Sequence, residues 1–197
     1  MLYYFDGGII GRSSGRSAVG AAAYRSGEKL HSVAHAAYQS GEKIIEEGDI
    51  IVHDYTRKDG VAHSEILLPP DAPEAYNDRE TLWNAVERAE RRKDAQLARE
   101  IIVALQREFD LQEQKELLRQ YIAENFVEKG MIADLAIHDK NNGNPHAHIM
   151  LTTRNVTPDG FGLKNTTWNK KDMFLGWREN WANATNRVFE KKGLTSV

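Results

Sequence analysis

Apolar residues recur along this chain at two spacings, every second residue or every third and fourth, and the switches between them mark out strands and helices. Leu2 to Ile10 is rich in aromatic and β-branched residues and predicts a first strand, with Gly7 and Gly8 marking a bulge or a close backbone approach. Ser17 is placed to N-cap a helix over Ala18 to Arg25, and Gly27 lies near the C-cap position. That unit is repeated: AAAYRSGEKL at 21–30 is echoed by HAAYQSGEKI at 35–44, so two small helices are expected and Tyr38 is the equivalent of Tyr24. Short strands follow at Ile50 to His53 and Ser64 to Leu68 around the turn-forming Arg57 to Gly60, before Pro69, Pro70 and Pro73 break the pattern.

Asp78 is a good N-cap for a long helix through Leu82, Val86 and Ala89 to about Lys93. Ala98 to Leu105 reads as a buried strand with one polar outlier, Glu100, which either caps an edge in solvent or faces a functional site. Asp110 with Glu113 forms a capping box that opens a helix carrying Leu117, Leu118, Tyr121, Ile122 and Phe126 until Gly130. Arg154 to Thr167 reads as a Gly- and Asn-containing loop with Lys164, long enough either for a binding loop or for a partly disordered one. A last amphipathic helix from Lys171 to Lys191 sends Phe174, Trp177, Trp181 and Val188 into the core.

Between these lies LAIHDKNNGNPHAHIMLTT, from Leu135 to Thr153, two alternating arms joined by Asn142 to Pro145. Alternation puts His138 on a face with Asp134 and Ala136, and puts His146, His148 and Met150 opposite Ala147, Ile149 and Leu151. Histidines at i and i+2 on a strand have Cα atoms about 6.5 to 7 Å apart, a distance two imidazoles can close around one ion. A third from the partner arm completes one face of a metal site. Three neutral imidazoles leave the charge of a divalent cation uncancelled, with open positions for an oxygen ligand such as a phosphate.

Composition narrows this further. A chain of 197 residues with 41% apolar content is expected to form a single domain around one substantial core. It contains no cysteine, so disulfides and thiolate metal sites are excluded and histidine and carboxylate must carry any metal. Met1 to Ile10 lacks a secretory pattern and no run approaches membrane-spanning length, so a soluble cytoplasmic protein is expected. The net charge of −3 gives no support to nucleic-acid binding, but basic residues cluster at Arg12, Arg16, Arg25 and Lys29, at Arg88 to Lys93, and around Lys164 to Arg178.

Taken together, the N-terminal S-A-x-x-A-A-A-Y-R-S-G-E-K with Tyr24, Val52-His-Asp-Tyr-Thr-Arg-Lys58, Ala98-Arg-Glu-Ile101 and LAIHDKNNGNPHAHIMLTTR resemble the MobA/MobL relaxases that initiate conjugative plasmid transfer. These belong to the HUH endonuclease class. The resemblance covers nearly the whole chain. It implies an α/β (α+β) fold with a central, mainly antiparallel sheet flanked by helices. Residues 1–197 would be one nickase domain, the N-terminal part of a longer bacterial protein.

It further implies that Tyr24 is the nucleophile, that His138, His146 and His148 hold a divalent metal, and that Glu100 supports them. Manganese or magnesium would be the ion in use; zinc and nickel also suit imidazole. Where some members carry a second acid this chain has Ile102, and Gln106 replaces a usual proline. Tyr38 is the alternative nucleophile, and family position favours Tyr24. The implied substrate is single-stranded DNA at an origin of transfer beside a hairpin, in a groove lined by Arg12, Arg16, Arg25 and Lys164. Relaxosome proteins and a coupling protein are the implied partners, with no membrane insertion. A rolling-circle or transposition nickase would usually place its tyrosine after the histidines, and a non-catalytic DNA-binding accessory module would form no covalent intermediate. A zinc hydrolase would want a general-base motif such as HExxH, which is absent.

Overall fold

The computed structural model describes residues 4–12, 32–46, 51–54, 60–92, 94–140 and 142–195. Its centre is a fully antiparallel sheet of β1 (Phe5–Gly11), β4 (Val61–Leu67), β5 (Gln96–Ala104), β6 (Ala133–His138) and β7 (His146–Thr152), in the order β1-β5-β7-β6-β4. Helices α1 (Ser32–Ser40) and α2 (Arg79–Ala89) lie on one face, and α3 (Leu111–Asn125) and α4 (Lys171–Lys191) on the other. Two small hairpins complete the described chain, β2 (Lys43–Glu46) with β3 (Ile51–Asp54) and β8 (Arg154–Thr157) with β9 (Gly160–Lys164).

The α3/α4 face is apolar through its centre, with Glu65 and Arg99 toward its margins. Ile101, Val103, Leu135, Ile137, Ala147, Ile149 and Leu151 project from the sheet into Leu118, Tyr121 and Ile122 of α3 and Trp177, Trp181 and Phe189 of α4. The Tyr121 hydroxyl donates to the Trp177 carbonyl at 2.8 Å, so this ring is buried without an unsatisfied polar atom. At Gly7 a Cβ would come within 2.6 Å of the Phe174 ring, which explains a glycine at a position that otherwise reads as strand.

The opposite face is divided. One half, with Ile10, Ala98 and Met150, is covered by Val33, Ala36 and Ala37 of α1 and by Leu82, Trp83 and Val86 of α2. A buried ion pair fixes that cover: Arg79 Nε donates to both Asp134 oxygens at 3.1 and 2.9 Å, and Trp83 Nε1 donates to Asp134 at 2.8 Å. Burial alone would depress the Arg79 pKa, but Asp134 and Glu42 outweigh it and hold the guanidinium charged. The other half of the face carries the histidines.

The antiparallel sheet, the capping box of Asp110 and Glu113, the Asp78 cap and the span of α4 agree with the sequence-based expectations. Several boundaries differ. Gly41, at φ 73°, stops the helix of the second repeat copy, and Lys43 to Glu46 becomes a strand. The short strands β3 and β4 do not pair with each other; β3 joins β2 and β4 joins β6. Helix α2 ends at Ala89 because Glu90 turns inward, where its carboxylate takes Arg154 at 2.8 Å and Lys164 at 3.1 Å. The segment expected as a loop from Arg154 to Thr167 instead forms the β8–β9 hairpin, turning at Gly160 with φ 110°. The helix expected over Ala18 to Arg25 lies outside the described residues.

Two stability predictions follow from the ion pairs. Asp134→Ala leaves the buried Arg79 with only the more exposed Glu42 as counter-charge and takes the acceptor from Trp83 Nε1, so a loss of about 3–5 kcal/mol is expected in urea unfolding; a loss below about 1 kcal/mol would contradict the anchor. Glu65, on edge strand β4, accepts Arg119 Nε and Nη2 at 2.8 Å. Burial pushes its carboxyl up, but hydrogen bonds from Arg119 and His63 bring it below the ordinary value. A depressed carboxyl stabilises the fold above its unfolded pKa and loses that contribution as it is protonated. Below about pH 5, therefore, wild type should lose stability more steeply than Glu65→Gln in denaturant titrations at stepped pH. Parallel curves would refute this.

Candidate active site

The β6–β7 hairpin places its histidines by register. His138 is directly paired with His146, and Ala136 with His148, so all three imidazoles rise from the same face of neighbouring strands. Their ring centroids stand 5.4, 4.7 and 5.2 Å apart, and one ligating nitrogen from each lies within 4.8 Å of the others. His138 is buried and the other two are half-buried. Among the described residues, this is the group of histidines and carboxylates close enough to hold a metal ion.

One nitrogen of each ring is already engaged. His138 Nε2 donates to the Gln39 carbonyl at 2.7 Å, and His146 Nδ1 donates to the Asn144 carbonyl at 2.9 Å. His148 Nδ1 meets Glu100 Oε1 at 2.8 Å. A carbonyl can only accept, so the first two contacts fix the proton on the engaged nitrogen; the carboxylate does the same for His148. In a neutral imidazole the second nitrogen then carries the lone pair that a cation needs, and the donor set fits a divalent ion.

Glu100 faces this site rather than open solvent. Across the sheet, Gly8, Glu100, Met150 and Asp134 form one paired row, and Asp6, Ile102, His148 and Ala136 form the next. Gly8 is exposed, and a Cβ there would meet nothing within 4 Å, so the strip of sheet beside Glu100 is open.

Gln39 closes the other side, and sequence reasoning missed it. Besides its carbonyl contact to His138, its side-chain amide donates to Glu100 and lies 3.2 Å from His148 Nδ1. The signal available was a polar residue in an alanine-rich helix at a position where the repeat carries Arg25. Tyr38 is the preceding residue, half-buried near the end of α1. Tyr24, Arg16 and Arg25 lie outside the described residues. Arg12 and Lys164 are not brought to the histidines. Arg12 is engaged by Glu87 at 2.7 Å and by the carbonyls of Glu90 and Arg92, while Lys164 donates to the Gln96 carbonyl at 2.8 Å. Gln96 and Ile102 are six residues apart on β5, about 20 Å along the strand, so both cations serve the far end of the sheet.

The MobA/MobL family model matches residues 31–196. The chain belongs to the MobA/MobL family. This MobA/MobL chain is 39% identical over 173 residues to the conjugal transfer protein TraA of Agrobacterium fabrum, covering 83% of itself and 14% of that protein. It is 36% identical over 184 residues to the mobilization protein MobL of Acidithiobacillus ferridurans, covering 81% of itself and 44% of that protein. A solved structure described as the molecular basis of vancomycin resistance transfer in Staphylococcus aureus superposes with a TM-score of 0.85 at 34% identity, over 99% of this MobA/MobL chain and 96% of that one. No helix among its described residues is long and apolar enough to cross a membrane.

The geometry predicts a saturable divalent-ion site. Calorimetric titration with Mn2+ should give one site per chain, weakened about 10- to 100-fold by Glu100→Ala through loss of the His148 orienter. Equal affinity in the two proteins would remove Glu100 from the site.

Proposed function

We propose that residues 1–197 form a nicking domain that cleaves one strand of DNA at a plasmid origin of transfer by transesterification and later rejoins it. The observation that carries this reading is the cluster of His138, His146 and His148 closed on one side by the helix that bears Tyr38. The names of the relatives, conjugal transfer and mobilization proteins, supply the biological setting. Because the chain spans 14% and 44% of those proteins, activities seated elsewhere in them are not assigned to it.

The three imidazoles would hold a divalent cation, manganese or magnesium in use with zinc and nickel as competitors, whose charge neutralises a non-bridging phosphate oxygen. Glu100 keeps His148 in one tautomer and orientation, and the Gln39 carbonyl does the same for His138. The open strip at Gly8 gives a DNA strand room to lie against the sheet. A tyrosine phenol, from Tyr24 or Tyr38, attacks phosphorus in line. The bond from phosphorus to the 3′-oxygen breaks, a phosphotyrosine bond forms at the 5′ side, the phenol proton is lost and the 3′-oxygen gains one. One phosphoester replaces another, so the link is retained for religation. Single-stranded DNA next to a hairpin is the substrate in this reading, with relaxosome and coupling proteins as partners and the cytoplasm of a bacterium as its place.

Incubation of the chain with a single-stranded origin-of-transfer oligonucleotide and Mn2+ should give a covalent protein–DNA adduct that survives denaturation. EDTA should abolish it, and His146→Ala with His148→Ala should lower its yield by at least about 100-fold. Cleavage that leaves the protein unmodified would point to hydrolysis and overturn the proposal.

A further inference from the structure

We infer that the nucleophile is Tyr38, the tyrosine of the second repeat copy, and not Tyr24. This rests on the nicking reading above and decides which of its two candidate phenols acts.

The repeat has a register of 14 residues, counting from Tyr24 to Tyr38. In the second copy, Val33, Ala36, Ala37 and Ser40 are buried, at the i, i+3, i+4, i+7 spacing of one helical face. They seat α1 in the apolar groove made by Ile44, Leu82, Trp83, Val86 and Met150. The first copy has the same residue types at the equivalent positions, Val19, Ala22, Ala23 and Ser26. Both copies are therefore built for one kind of groove, and a groove of this closeness, where Val33 and Ala37 are 0% exposed, takes one helix at a time. The helix seated there is the second copy.

Seating fixes what lies beside the histidines. Gln39 reaches His138, His148 and Glu100 at once, so the backbone of α1 is tied to the cation site at the residue next to Tyr38. The Cα of Tyr38 is about 3.8 Å from that of Gln39. Downstream, the chain leaves α1 through Gly41 directly into β2, so the second copy is also the one joined to the rest of the fold without an intervening repeat. Independently, the family match begins at residue 31, includes Tyr38 and omits Tyr24. In sequence the first copy is then an added segment between β1 and α1, which gives this chain a second copy of the tyrosine motif. The duplicated motif is shared by both copies, and among the four residues after each tyrosine the difference that touches the site is Gln39 where the first copy has Arg25.

Peptide mapping tests this without relying on a variant that must fold. Trypsin separates the two candidates, with Tyr24 in the peptide 17–25 and Tyr38 in the peptide 30–43. Wild-type protein captured on a single-stranded origin-of-transfer oligonucleotide with Mn2+, then digested with nuclease and trypsin, should carry the nucleotide mass on peptide 30–43. Tyr38→Phe should lower adduct yield at least about 100-fold and Tyr24→Phe by less than about twofold, with Mn2+ affinity unchanged in both. Nucleotide mass on peptide 17–25, alone or together with 30–43, would overturn the assignment while leaving the nicking reading intact. No adduct on either peptide in wild type would overturn both.

Discussion

The register of one hairpin governs both the core and the site. In β6 and β7 successive side chains alternate between faces, so the same pairing that sends Leu135, Ile137, Ala147, Ile149 and Leu151 into the α3/α4 core sends His138, His146 and His148 to the other side. A slip of one residue would bury imidazoles in the aromatic core and expose the aliphatic row. Core packing therefore enforces the geometry of the site, and the histidines need no contacts of their own to select it. Both strands are internal in the sheet, flanked by β5 and β4, which removes the freedom an edge hairpin would have.

The divided face explains why such a site remains accessible in a small domain. Its apolar half is sealed by α1 and α2, and that seal is locked electrostatically by Asp134 with Arg79 and Trp83. Asp134 and Glu100 occupy the same paired row, at the border between the halves, but have opposite fates. Asp134 is spent on a buried guanidinium; Glu100 turns toward an imidazole and a glutamine amide. Along that border the sheet is left open at Gly8, and beyond it half-open at His146 and His148.

How much of this could be read from the sequence depended on whether the signal was local. Alternation and capping are local, and they gave the hairpin face, the Asp110 box and α4 to the residue. Glu100 was legible only as an outlier, because its direction depends on pairing with Met150, a partner distant in sequence. The β8–β9 hairpin was missed because strands of four and five residues around Gly160 look like loop chemistry when the pairing is invisible. Arg12 and Lys164 looked like phosphate ligands because charge is visible in a sequence and the acceptor is not; their acceptors include Glu87, Glu90 and the Gln96 carbonyl at the far end of β5.

Gln39 was the hardest to foresee, and it shows how a repeat misleads a linear reading. Two copies with the same apolar residues at equivalent positions have nearly the same intrinsic tendency to form a helix and the same affinity for an apolar groove. Connection does not favour either strongly: the second copy has the short link to β2 and the long one from β1, and seating the first would exchange the two. Loop closure alone separates such lengths by only a few tenths of a kcal/mol to about 1 kcal/mol. The larger difference lies in side-chain chemistry at the one position where the docked face meets the histidines, glutamine in the second copy and arginine in the first. The seating of α1 is thus set by a tertiary contact between residues 39 and 100, which no window along the chain contains.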